Sequence, residues 1–180
     1  MNVSLKWLGA LVDIKGMNPD DMAETLTVDG IPVEHVIRPG EGIKGVVTGK
    51  ILSVEKHPDA DHLLICQLDV GEEEPVQIVT SASNVKEGQI VPCALSGAHV
   101  PAAHDNKAPG GLRHGDIKIK AGKLRGVKSA GMMCSLGELG MDANLFPALN
   151  HEGILILPED TPVGVDIHTL YDLDDVVSVS

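Results

Sequence analysis

VVTGKILSVEKHPDADHLLICQLDV, residues 46–70, is the stretch on which the fold turns. Apolar and polar residues run with a period near two on both sides of HPDAD (57–61), in segments rich in Val, Ile and Leu. That period belongs to a strand whose side chains point alternately to opposite faces. Pro58 with two aspartates marks a tight turn, so the stretch reads as two strands joined as a hairpin. Downstream, PVQIVT (75–80), QIVPCAL (89–95) and GDIKIK (115–120) repeat the pattern, separated by GEEE, SASN and Gly/Pro/His-rich loops. Five such strands with no long helix among them predict a small closed antiparallel barrel over 46–157.

A barrel of this size is most often an OB-fold, whose face and loops commonly meet oligonucleotides. The flanks have a different period. Leu5, Leu8, Leu11 and Val12 recur at helical spacing behind Ser4 as a cap, with Gly9 a weak point. A second helix starts at Asn18, with Pro19 in its first turn, Asp20 and Asp21 at the positive end of the dipole, and Met22 and Leu26 four apart. IPVEHVI (31–37) alternates as a strand, and RPGEG (38–42) reads as a linker. After Phe146, EGILILPED (152–160) reads as one more strand, TPVGVDIHTLY holds a short helix, and DLDDVVSVS ends in apolar alternation, as though a strand stops midway in a longer chain. The fold class is mainly β, α+β overall: an OB-type barrel (40–157) inserted into a small discontinuous α/β domain made of 1–39 and 158–180.

The 180 residues are 43% apolar, enough for a real core, and no apolar run approaches the roughly 20 residues of a membrane span. The N-terminus lacks the pattern of a secretory signal, and Cys66, Cys93 and Cys134 match neither a disulfide framework nor a zinc site, so reduced thiols in a cytoplasm are expected. HPDADH (57–62) gathers two histidines and two carboxylates, but the turn explains it without a metal, and no metal site is expected. No nucleophile, P-loop or dinucleotide motif supports catalysis. Cys134 reads as a small buried hydrophobe rather than a reactive thiol.

Net charge −12 opposes indiscriminate nucleic-acid binding, yet seven of the 14 Lys and Arg fall between Lys107 and Lys128 with Asp116 the only acid, a segment of net +6. The only aromatics are Trp7, Phe146 and Tyr171, none on the strands between 46 and 120. Stacking of single-stranded bases on aromatic platforms is therefore excluded, and an RNA would have to be met through its shape and backbone by Lys and Arg. Lys118 and Lys120 alternate with Ile117 and Ile119, which puts both cations on the solvent face of a strand.

Residues 46–70 together with ASNV (82–85), VPCALSGAHVP (91–101) and LRGVKSAGMMCSLGELG (124–140) resemble the tRNA-binding OB module of bacterial phenylalanyl- and some methionyl-tRNA synthetases and of free-standing tRNA-binding proteins. MNVSLKWLGALVDI, LTVDGIPVEHV and LPEDTPVGVDIHTLYDLDDVV resemble the segments flanking that module in the bacterial phenylalanyl-tRNA synthetase β subunit. Three features depart from the family pattern: His62 where a lysine is common, TSASN at 80–84 in place of Cys-Gly-Ala-Pro-Asn, and a long loop from Ala103 to Gly115. The resemblance implies a non-catalytic, cytoplasmic N-terminal piece that assists tRNA binding, with an α subunit and the rest of the β subunit as partners and ATP and Mg2+ held elsewhere. It implies that Lys123, Arg125 and Lys128 face the RNA backbone, beside Lys118, Lys120, Ser129 and Asn84, with Gly131 to Gly140 folding back on the barrel. Two other readings stay open: a barrel that contacts only protein, which a basic loop serves equally well, and an independent tRNA-binding or chaperone-like protein.

Overall fold

The computed structural model describes residues 1–171 and 175–180, which form two compact units. The first comprises Met1–Gly40 with Asp175–Ser180. Strands β1 (Asn2–Ser4), β2 (Val33–Ile37) and β11 (Val176–Val179) form an antiparallel sheet in the order β1-β11-β2, with Val177 opposite both Val3 and Val36. Of the alternation expected over 172–180, residues 172–174 lie outside the described residues. Helix α1 (Leu5–Gly9) is capped by Ser4, whose hydroxyl accepts from the Trp7 N–H at 3.1 Å. It runs only five residues and buries none of them, and Leu11 and Val12 are exposed. The expected apolar stripe is thus no buried face. Helix α2 (Pro19–Val28) follows its sequence signals: the Asn18 side chain accepts from the Asp21 N–H at 2.8 Å, and Met22 is buried.

The second unit, Glu41–Tyr171, holds the barrel. Its strands are β3 (Lys44–His57), β4 (Ala60–Asp69), β5 (Val76–Thr80), β6 (Ile90–His104), β7 (Leu112–Lys118), β8 (Gly122–Leu124), β9 (Val127–Ser129) and β10 (Gly131–Met133). The main sheet runs β10-β6-β3-β4-β5, all antiparallel, with β7 on the far half of β6 and β8-β9 as a separate hairpin. The 14-residue β3 pairs with β6 along its first half and β4 along its second. Register shifts at Lys44/Val46, Ile51/Ser53 and Lys56/His57 mark where the strand bends to serve both. Ile51, Cys66, Leu68, Ile78, Val91 and Cys93 close the core beneath. Gly49 is required there: a Cβ would come within 2.7 Å of the Cys93 sulfur.

The structure amends the sequence reading at three points. The barrel is not closed by a continuous ladder: its edge strands β10 and β5 are bridged by the Ala130 N–H donating to Gln77 O at 2.8 Å. EGILILPED is not a strand but an extended segment with single bridges, Ile154 to Ser135 and Leu157 to Ile90. Side-chain amides replace a neighbouring strand there. Asn84 accepts from the Ile154 N–H and donates to its carbonyl, while Asn150 does the same across Ile156 N–H and Ile154 O, all at 2.8–3.1 Å.

The second seam also lies later than the period change suggests, with residues 158–171 belonging to the barrel unit. Buried Thr48 explains this. Its hydroxyl donates to Pro162 O at 2.6 Å and accepts from the Val165 N–H at 3.1 Å, and its backbone pairs with Val165 O and the Gly164 N–H. The short helix α3 (Ile167–Leu170) then buries Ile167, and the His168 ring N–H donates to Ile43 O at 2.9 Å.

Candidate nucleic-acid interface

The hairpin β8-β9 concentrates the expected cations. Arg125 and Gly126 occupy its two-residue turn with φ of 50° and 84°, both in the left-handed region that a type I′ turn requires. Glycine takes that conformation freely, whereas for arginine it is strained. The register places Lys123 directly across from Lys128, two like charges on neighbouring strands, an arrangement that weakens a ladder. Lys123, Arg125 and Lys128 are all exposed, as are Lys118 at the end of β7 and Lys120 beyond it. Ile117 is half-buried and Ile119 buried, so Lys118 and Lys120 do share the solvent side. None of the five cations forms a salt bridge among the described residues; the ion pairs there are Arg38–Asp20 and His99–Asp116.

A hairpin with this much repulsion must be held from below. Val127 packs on Ala60, Leu63 and Val79. His57 lies in the β3-β4 turn, which is the tight turn that Pro58 and Asp59 indicate. Its Nδ1 accepts from the Asp59 N–H at 3.0 Å, so Nε2 carries the proton and donates to Leu124 O at 3.1 Å. Both ring nitrogens are thereby engaged. No three His, Cys, Asp or Glu side chains come together as metal ligands among the described residues.

Two of the expected contact residues belong to the frame instead. Ser129 is buried, its hydroxyl donating to Gly131 O at 2.8 Å and accepting from the Val79 N–H at 3.0 Å, which fastens the hairpin to β5. Asn84 is spent on Ile154, as described above. The three cysteines are buried and unpaired. Burial pushes the Cys66 thiol up to about 11 and Cys93 up to about 12. Burial first, then the neighbouring Glu138 carboxylate, raises Cys134 well above the ordinary thiol value. None is a ready nucleophile.

Beside the hairpin opens a cleft of about 820 Å3 that the sequence reading does not contain. Leu124, Met132 and Ile154 line it together with Glu138, Ser135 and His104. Ser135 and Glu138 make reciprocal bonds: the Ser135 N–H donates to Glu138 Oε2 at 2.8 Å, and the Glu138 N–H donates to Ser135 Oγ at 3.2 Å. The S-x-x-E spacing of a capping box was the available signal.

A family model described as a putative tRNA binding domain matches residues 46–166. The chain belongs to that family. The phenylalanine–tRNA ligase β subunits of Clostridium tetani, Bacillus licheniformis and Bacillus subtilis are 46%, 47% and 46% identical to it over 98% of its length. The match covers 20% of each of those proteins, so the chain spans about a fifth of the relatives it resembles. Among solved structures, the C-terminal domain of Plasmodium vivax p43 matches 69% of the chain and 58% of its own, at 21% identity and a TM-score of 0.41, too distant to argue from. No helix among the described residues is long and apolar enough to cross a membrane.

Proposed function

We propose that this chain is the non-catalytic N-terminal part of a bacterial phenylalanine–tRNA ligase β subunit and that its barrel, carried as an insert in a small discontinuous domain, binds tRNA through the β8-β9 hairpin. The observation that carries the reading is the hairpin itself. Lys123, Arg125 and Lys128 stand exposed at a strained turn with like charges face to face, in a chain of net charge −12. Such a turn destabilises the free protein and becomes favourable once phosphates neutralise it. The family description and the relatives' names support the same reading. On it the protein works in the cytoplasm, the aminoacylation chemistry with its ATP and Mg2+ belongs to other parts of the enzyme, and the α subunit and the rest of the β subunit are its protein partners.

Without aromatic platforms the binding is electrostatic and weak. Three phosphate contacts give a log–log salt slope of about −3. The test is a salt titration of tRNA binding by the wild type and by a Lys123→Ala, Arg125→Ala, Lys128→Ala variant. The variant is expected to bind more weakly with a flattened slope. A folded variant with unchanged affinity and slope would overturn the reading in favour of a barrel that contacts only protein.

A further inference from the structure

The cleft beside the hairpin brings opposite chemistries together. Leu124 lines it, and the exposed cations Lys123 and Arg125 flank Leu124 along the hairpin, a source of positive charge for an anion. The same cleft is lined by Glu138, only 8% exposed. Glu138 Oε1 accepts from the His104 N–H at 3.3 Å and Oε2 from the Ser135 N–H at 2.8 Å. An ionised carboxylate offers about four acceptor sites, so two remain after these bonds. Met132, Met133 and Ile154 line it as well, apolar and, in the methionines, polarisable enough to cover a flat ring. At about 820 Å3 the cleft falls within the about 300–1,000 Å3 of small-molecule pockets.

A phosphate alone does not suit the cleft, because the carboxylate repels it. A purely apolar ligand would cover that carboxylate and leave its two remaining acceptor sites unfilled. The ligand that fits has an anion at one end, a flat body, and adjacent N–H donors at the other. A nucleotide has the first two, and the donors distinguish the bases. Guanine presents N1–H and its 2-amino group side by side, a pair that a carboxylate accepts in bidentate fashion. Adenine and cytosine set one amino group beside a ring acceptor, and uracil flanks its single N–H with two carbonyls. Building on the RNA-binding reading above, we propose that this cleft receives one unpaired guanine of the RNA, its Watson–Crick edge on Glu138 and its phosphate on the basic hairpin.

The test uses the 180-residue chain with single-stranded hexamers UUGUUU, UUAUUU and UUIUUU (I, inosine, which lacks the 2-amino group), and with free GMP and AMP followed by backbone-amide NMR. The guanine hexamer is expected to bind about tenfold more tightly than the adenine one, with inosine between. GMP, but not AMP, should shift the amides of Ser135, Glu138 and Gly153. Glu138→Gln should erase the preference. Because that side chain also holds two backbone amides, inosine on the wild-type protein gives the same answer without any substitution. The triple hairpin variant should weaken all three hexamers while preserving their ratio. Equal binding of the hexamers by a chain that still binds tRNA would overturn the guanine site and leave the hairpin reading standing. If no RNA binds, the hairpin reading fails and the GMP shifts still decide the cleft. If N-acetyl-arginine amide moves those amides and GMP does not, the cleft accepts a protein side chain and the proposal is wrong.

Discussion

The barrel and the small unit spend their apolar residues in opposite ways. The barrel buries Ile51, Leu68, Ile78, Leu139 and Leu155 almost completely and leaves two large hydrophobics, Leu52 and Leu124, exposed. Among its described hydrophobics the small unit buries only Met22, Val177 and Val179. It exposes Met1, Trp7, Leu11, Val12, Met17, Val28 and Ile31, with Trp7 at 60% and Leu11 at 65%. One unit is held by its own core, and the other by a three-stranded sheet and two capped helices. The difference shows that local signals, caps and turns can be complete in a segment whose stability they do not guarantee, since stability follows the apolar area that is buried.

Breaking the barrel's core has the largest expected effect. Leu68→Ala should cost about 2–5 kcal/mol, read as a lower urea midpoint for the amides of β3, β4 and β6. If the amides of α2 and β11 lose protection to the same extent, the two units are one cooperative block and the contrast fails.

Alkaline pH should act on the same side of the comparison, because all three cysteines are in the barrel. Their thiols lose a proton near 9 once unfolded but hold it to about 11 in Cys66 and about 12 in Cys93 when folded. Between those values the unfolded state binds fewer protons, so stability is flat below pH 9 and falls as pH rises above it. Thermal midpoints measured across that range should show the decline, with a shallower slope in Cys93→Ala.

A smaller change, Asn18→Ala, removes the cap of α2 and should cost about 1 kcal/mol. Hydrogen exchange should register it in α2 while the barrel's urea midpoint stays put. Smallest is the combined Trp7→Ser, Leu11→Ser substitution. With both side chains exposed, stability should stay within about 0.5 kcal/mol, while self-association in sedimentation should decrease. A large loss of stability would mean that the exposed face is part of a core.

Much of the barrel was legible in the sequence because β3 and β4 are long and paired on both sides, and they and the short edge strand β5 fall where the period of two predicts. The strands that were missed, β1 and β8 to β10, have three residues each, too few for a period to emerge, and Gly122 and Gly131 add no side chain to the pattern. EGILILPED misleads for a different reason. Its apolar content is real and Ile154, Leu155 and Leu157 are buried, but Asn84 and Asn150 bond its backbone where a neighbouring strand would, and a partner such as Asn84, seventy residues from Ile154, leaves no local trace.

The candidate site divides in the same manner. The cations were legible because exposed charge in an acidic chain stands out by composition. Ser129 was misassigned because a serine beside a lysine is equally compatible with solvent and with the buried bond it makes to Val79. The cleft depends on Glu138, from a turn, bonding His104 at the end of β6 and lining one space with Leu124 of β8, a proximity that only tertiary structure creates.

The bond from His168 to Ile43 bears on how such a protein can be assembled from parts. It fastens the two ends of the 41–171 unit together inside that unit, so the points where the chain enters and leaves are neighbours. A module closed in this way asks almost nothing of its host: it can be carried on a surface turn without prying the host open. The same bond, with the Thr48 pairing to Val165, sets where such a module has to be excised. A cut at residue 157 strips Thr48 of its partners and uncovers the place of Ile167. A cut after Tyr171 takes a barrel whose ends are already tied, ready to be transplanted.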